Sequence, residues 1–159
     1  MRDCLLALVV TLAICGCRCS LPAPTQLSDE DTIREAVFRY QFEFNASGQG
    51  KAANAYFLCV EGNSDPSSQL LAQFDGHQPP VKPVSASVLE AGTALVLDSE
   101  SGLPGLRFWV EEIRYLSGSQ AEVEGGYEEA SESAAGSVYR LEKANGHWQV
   151  IASQMLWIK

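Results

Sequence analysis

The side chains able to do acid–base or nucleophilic chemistry are few and scattered. The 159 residues hold two histidines, His77 and His147. His77 lies in the proline-rich stretch His77-Gln78-Pro79-Pro80, and His147 directly follows Gly146 of a turn, where it reads as exposed. A general acid or base must sit within hydrogen-bond reach of the proton it moves, so two separated histidines are a thin supply. No nucleophile–base pair and no glycine-rich phosphate loop stands in the sequence. The five cysteines, Cys4, Cys15, Cys17, Cys19 and Cys59, show neither a CxxC pair nor a Cys/His ligand spacing, so no metal or other cofactor is expected.

One cysteine does stand in a chemically suggestive context. Leu5 to Ile14 is an apolar run of signal-peptide length, too short to span a bilayer, which takes ~20 apolar residues. It runs into Ile14-Cys15-Gly16-Cys17, which resembles the bacterial lipobox: an aliphatic residue, a variable position, a small residue, then the cysteine that becomes the lipidated N-terminus. That resemblance implies a signal peptide over 1–16, acylation (palmitate among the acyl groups) of Cys17, and a lipid-attached tether over 17–27 containing Pro22 and Pro24. Two departures are plain: Asp3 cancels the charge of Arg2, and Cys15 is unusual at its place. Cleavage by an ordinary signal peptidase is the alternative. Arg18, not Asp, follows Cys17, and by resemblance to the enterobacterial sorting rule this favours the outer membrane; a soluble secreted or periplasmic location is the alternative. Cys19 and Cys59 are then left either to pair in an oxidising compartment or to remain two thiols.

The elements that would position any site follow from periodicity. The formal net charge of −9 argues against nucleic acid and against anionic headgroups as partners. Ser28 and the acidic Asp29-Glu30-Asp31 start a helix expected to run to about Ala46. Ile33, Ala36, Val37, Tyr40 and Phe44 form its apolar stripe, and Phe38 and Phe42 form a second one, to be covered by the next helix or offered to a ligand or partner. Tyr56–Val60 reads as a strand buried on both sides. Asp65-Pro66 is expected to open a short helix as N-cap and first helical residue, with Gly76 ending it. Residues 77–83, with three prolines, are expected to be irregular. Strands are expected over Val84–Leu89, Ala94–Leu97, Leu106–Leu116 and Gln120–Glu128, with a bulge at Glu111-Glu112, where the inward parity switches from Val110 to Ile113. Gly125-Gly126 is expected to bend its strand, and 131–136 to form a loop. Asp98 and Glu100 start like a calcium loop, but Leu103 replaces its glycine and its closing glutamate is missing, which leaves a solvated turn.

The tail is the clearest pattern. Asn145-Gly146 sits between alternating runs and predicts a hairpin. A two-residue loop sets Leu141 opposite Val150 and Tyr139 opposite Ala152, whereas a four-residue loop sets Leu141 opposite Trp148. Both place Tyr139, Leu141, Trp148 and Val150 on one face. The arm through Met155-Leu156-Trp157-Ile158 is apolar on both sides and is expected to be central in its sheet.

The order predicts an α+β domain over 28–159, a curved antiparallel sheet of four or more strands wrapped around the N-terminal helix. The helix, the Gly125-Gly126 strand and the Tyr139-x-Leu141…Asn145-Gly146-x-Trp148-x-Val150 hairpin together resemble the nuclear transport factor 2-like, or cystatin-like, superfamily. That resemblance implies a cone with an apolar pocket. Members that are enzymes set a carboxylate or histidine inside, often beside tyrosine, which makes Asp75, His77, Glu112 and His147, with Tyr40 and Tyr127, the residues to examine. The expectation is a non-catalytic binder of a small apolar ligand or an envelope protein, with Phe38, Phe42, Tyr40 and Tyr127 as ligand-facing candidates. A small isomerase-, dehydratase- or hydrolase-like enzyme using His77 or Glu112 is the alternative, and a structural or immunity-type envelope protein a further one.

Overall fold

The computed structural model describes residues 27–45, 53–92, 94–130 and 133–159. The signal, Cys17, Cys19 and most of the tether lie outside the described residues. Helix α1 (Asp29–Tyr40) opens where expected: the Ser28 hydroxyl accepts the Asp31 amide at 3.0 Å. It does not continue as an α-helix. Gln41–Asn45 is a π-helical turn, and the wider turn rotates the following side chains off the α-helical stripe. Phe44, expected on the stripe, is therefore 60% exposed, while Gln41, four residues after buried Val37 and still bonded to its carbonyl, is fully buried.

Six further segments bring the chain to the four long strands. Strand β1 (Tyr56–Val60) is buried as predicted. Helix α2 (Ser68–Ala72) starts later than Asp65-Pro66 suggests. Ser67 is its N-cap, accepting the Leu70 amide at 3.1 Å, while Asp65 accepts the Ser85 amide instead. The same Ser67 hydroxyl donates to Asp31 of α1 at 2.8 Å, so one serine fixes both the start of α2 and its distance from α1. Strand β2 (Val81–Pro83) corrects the expected irregular stretch. It pairs in parallel with β1 at the sheet edge, where a proline removes no needed donor. Val84–Ala86 is a 3₁₀ turn rather than strand, and β3 (Ser87–Leu89) and β4 (Val96–Asp98) make a separate two-stranded sheet.

Strands β5 (Leu106–Ser117), β6 (Gln120–Ala130), β7 (Ser133–Ala144) and β8 (His147–Ile158) form an antiparallel meander. With β1 and β2 they give a six-stranded, mostly antiparallel sheet in the order β2-β1-β5-β6-β7-β8. The protein is thus α+β. Ser133–Gly136, expected to be loop, belongs to β7. The predicted bulge is present: β5 steps three residues, from Val110 to Ile113, while β6 steps two. Asn145 and Gly146 both have positive φ, and Leu141 pairs with Val150, which selects the two-residue loop. A bulge at Ile151 then shifts Tyr139 to Ser153 instead of Ala152.

One face of the sheet carries the main core. Ile33, Val37 and Phe38 of α1 pack with Leu58, Phe108, Val123, Tyr139, Leu141 and Trp148. On the opposite face, Trp109, Gly126, Gly136 and Trp157 lie side by side across four strands. The two indoles are parallel within 12°, with ring centroids 6.3 Å apart. They lie over the two glycines: a Cβ on Gly136 would sit 2.5 Å from the Trp157 ring, and one on Gly126 would sit 2.7 Å from that of Trp109.

Asp98 ends β4 as a buried carboxylate. Lys82 of β2 donates to it at 2.7 Å and the Glu100 amide at 3.1 Å. The lysine hydrogen bond holds its pKa below the ordinary value of 3.8. A depressed folded-state pKa gives stability that is present above the unfolded value and lost as pH falls through the folded one. The stability difference between wild type and Asp98→Asn should therefore be positive at neutral pH and shrink below about pH 4. Thermal melts across pH read this directly. A difference that stays constant into acid would show that the charge of Asp98 contributes nothing.

Candidate functional site

Three places gather the chemically notable residues. The first lies beneath the π-helical turn, which turns Phe42 into an aromatic cluster. Its ring centroid is 4.9 Å from those of Tyr56 and Phe108, 5.5 Å from Phe74 and 5.1 Å from His77. His77 Nδ1–H donates to the Pro79 carbonyl at 2.7 Å, which leaves the lone pair on Nε2 in the neutral ring. The rings around His77 are apolar in character, and among the described residues no carboxylate forms an ion pair with it. Burial pushes the Tyr56 hydroxyl pKa up. This arrangement suits packing better than proton transfer. Phe38 is 0% exposed and meets Phe74 edge-on at 6.4 Å, so the segment after α2 covers the helix's second stripe. Tyr127, half-buried, stands opposite Phe108 in the register, and its hydroxyl pKa is raised by burial and then by Glu129.

Gln41 is the residue that sequence reasoning missed. Fully buried, it donates from Nε2 to the Trp109 carbonyl at 3.2 Å and to the Tyr139 hydroxyl at 3.4 Å, and its Oε1 is buried with no hydrogen-bond partner. Gly125 makes room for it, since a Cβ there would lie 2.9 Å from Nε2. A polar residue at an apolar helix position is the available signal, and Gln41 stands at such a position, four residues after Val37 and eight after Ile33.

A second place is the cleft at the β5 bulge, about 550 Å³, lined by Glu111, Glu112, Arg114, Glu122 and Glu124 among others. Glu112 is exposed there. Glu122 is held by Arg114 and, at 3.2 Å, by Arg140, and these hydrogen bonds pull its pKa below the usual range. Both guanidiniums are thereby engaged, and the cleft reads as a solvated charge ladder across three strands. His77 and Glu112 line different places. Asp75 and His147 are both exposed and belong to neither cluster. No group of three or more His, Cys, Asp or Glu side chains among the described residues is arranged to hold a metal. Cys59 is a buried free thiol, and burial, then Glu111, pushes its pKa up to about 11. A thiol held protonated is a poor nucleophile.

The third place is β8, and here the structure overturns the expected central strand. β8 is the last strand of the sheet, and from Ile151 to Lys159 every residue is exposed. Ile151 is 58% exposed, Met155 60% and Ile158 65%. The apolar character on both sides, read as burial on both faces, belongs instead to an edge. Tyr40 reaches this strand, its hydroxyl 3.0 Å from that of Ser153, and its ring meets that of the exposed Phe44 at a 41° tilt, centroids 4.7 Å apart.

No known protein family, curated protein or solved structure matches the chain. Among the described residues no helix is long and apolar enough to cross a membrane.

Proposed function

We propose that the protein is a non-catalytic binding module of the bacterial cell envelope, anchored through lipidated Cys17, that takes up a protein partner along the edge of β8. The observation that carries this reading is β8 itself. Between Trp148 and Ile158 it has no Asp, Glu, Lys or Arg, in a chain with 20 acidic residues. Exposed edges are normally blunted with charge, proline, shortness or bulges, because a bare edge recruits another strand; β8 has bulges at Ile151 and Leu156 but none of the other three. The opposite edge follows that rule: β2 has three residues, two of them Lys82 and Pro83. Apolar side chains along an edge free of charge and proline suit strand addition, with the ladder supplying affinity and side chains supplying selection.

The scarcity of paired catalytic groups supports binding over turnover. A sheet wrapping α1, as in the nuclear transport factor 2-like fold, is part of the same proposal, with the aromatic cluster around Phe42 as packing for the wrap. Two measurements test the reading. Palmitate labelling should mark the membrane fraction and vanish in Cys17→Ser; soluble, unlabelled protein would overturn the anchor. A photocrosslinking residue at Gln154 of the full chain in intact cells should give a discrete protein adduct, and one at exposed Glu100 should not. Absence of any adduct at Gln154 would overturn the edge as a binding surface.

A further inference from the structure

We infer that the strand completing the β8 edge is β8 of a second copy of this chain, antiparallel across a two-fold axis near Ser153-Gln154. The inference rests on the edge reading above and names its occupant. Three observations select a second copy.

The first is closure. The six-stranded sheet of each chain has one open edge, β8, and one blunted edge, β2. Pairing the two open edges about a two-fold axis uses both and leaves β2 at each end of a continuous twelve-stranded sheet, so assembly stops at two copies. Any other strand would also cover β8, but only a second copy removes both liabilities at once.

The second is charge. Two copies each carrying −9 repel wherever their acidic surfaces meet. The Trp148–Ile158 run lies in the longest stretch among the described residues free of Asp, Glu, Lys and Arg, Ala144–Ile158, and it is where two such chains can approach without opposing like charges.

The third is extent. β8 has 12 residues, and a two-fold at Ser153-Gln154 pairs those from Gln149 to Ile158, an edge ~33 Å long at the usual rise per residue. A strip of that length and ~12 Å deep buries roughly 400 Å² per copy, about 800 Å² in all, the size of a weak, reversible interface. Two bulges, at Ile151 and Leu156, interrupt the strand on either side of Ser153-Gln154. An antiparallel two-fold near that centre brings the bulged Ile151 of each copy close to the bulged Leu156 of the other, so the interruptions coincide rather than accumulate. The flat run between them supplies the ladder, and the exposed Ile151 and Leu156 supply apolar contact.

The test is the mass of the purified full-length chain in a mild detergent, by light scattering coupled to size exclusion, together with the mass of the Gln154 crosslink. Wild type should have twice the chain mass. Gln154→Glu should be monomeric yet still melt cooperatively, at a midpoint that no longer depends on protein concentration, since that side chain is exposed and only the partner is lost; Gln154→Lys should behave the same, and mixing the two variants should restore the double mass. A wild type that stays monomeric, or a dimer indifferent to Gln154→Glu, would overturn the inference. The crosslink separates this failure from that of the broader reading. An adduct of twice the chain mass supports the second copy. An adduct with a different protein overturns it while leaving the edge reading standing, and no adduct overturns both.

Discussion

Trp148→Ala should cost the domain ~3–5 kcal/mol, the scale for truncating a buried aromatic residue. Trp148 is 6% exposed although it lies only two residues past the hairpin turn. Its indole N–H donates to Asp29 at 3.1 Å, Tyr115 meets its ring edge-on at 6.3 Å, and the Lys143 ammonium lies 5.4 Å from the ring centre. Asp29 also accepts from Lys143 at 2.5 Å, so the first residue of α1 is tied to both arms of the hairpin. Removing the indole opens a cavity in the core and frees that tie together. Trp148→Phe keeps much of the ring and should recover more than half of the loss. Chemical denaturation of the three proteins measures this, and a loss below ~1 kcal/mol for the alanine variant would make the hairpin peripheral.

The second large effect comes from adding a single methyl group. Gly126→Ala should destabilise by ~3 kcal/mol or more, at or above the upper end for overpacking. A Cβ at that position would lie 2.0 Å from the Ala135 carbonyl oxygen, a backbone atom that cannot move without separating β6 from β7. It would also push against the Trp109 ring at 2.7 Å. If denaturation gives less than ~1 kcal/mol, the strands must part there at little cost. Gly136→Ala should cost less, because the atoms it meets belong to the Trp157 side chain, and Trp157 is 39% exposed.

Much of the fold was legible in local pattern. The Ser28 cap, the β5 bulge and the Asn145-Gly146 turn each have a signature within a few residues, and all three are present. Features set by tertiary context were not. The π turn cannot be read from Gln41-Phe42-Glu43-Phe44, because nothing in those side chains distinguishes it from a continued α-helix. β2 was masked by its prolines, which an edge tolerates. β8 was misplaced because apolar residues on alternating faces signal burial only if something lies on each face, and hydropathy does not report what does. For the candidate site, the scarcity of histidines was legible in the sequence, whereas the absence of an ion pair at His77 and the exposure of β8 needed the structure.

The strand order also implies a schedule. β5 to β8 are consecutive in the chain and adjacent in the sheet, joined by tight turns, so their contacts close short loops. β1 joins β2 and β5 in parallel only after the chain has wandered through α2 and the small sheet. Because longer closures cost more entropy before they are rewarded, the meander is expected to form first and the α1–β1 half to dock onto it. Substitutions at Val123 or Leu141 should then slow refolding, whereas Leu58→Ala should mainly speed unfolding; the reverse pattern in stopped-flow kinetics would refute this order. If the chain is exported, as proposed above, and enters its channel N-terminus first, the last segment to follow is the one that nucleates. Such a chain stays threadable until translocation is nearly finished, and then folds from its trailing end.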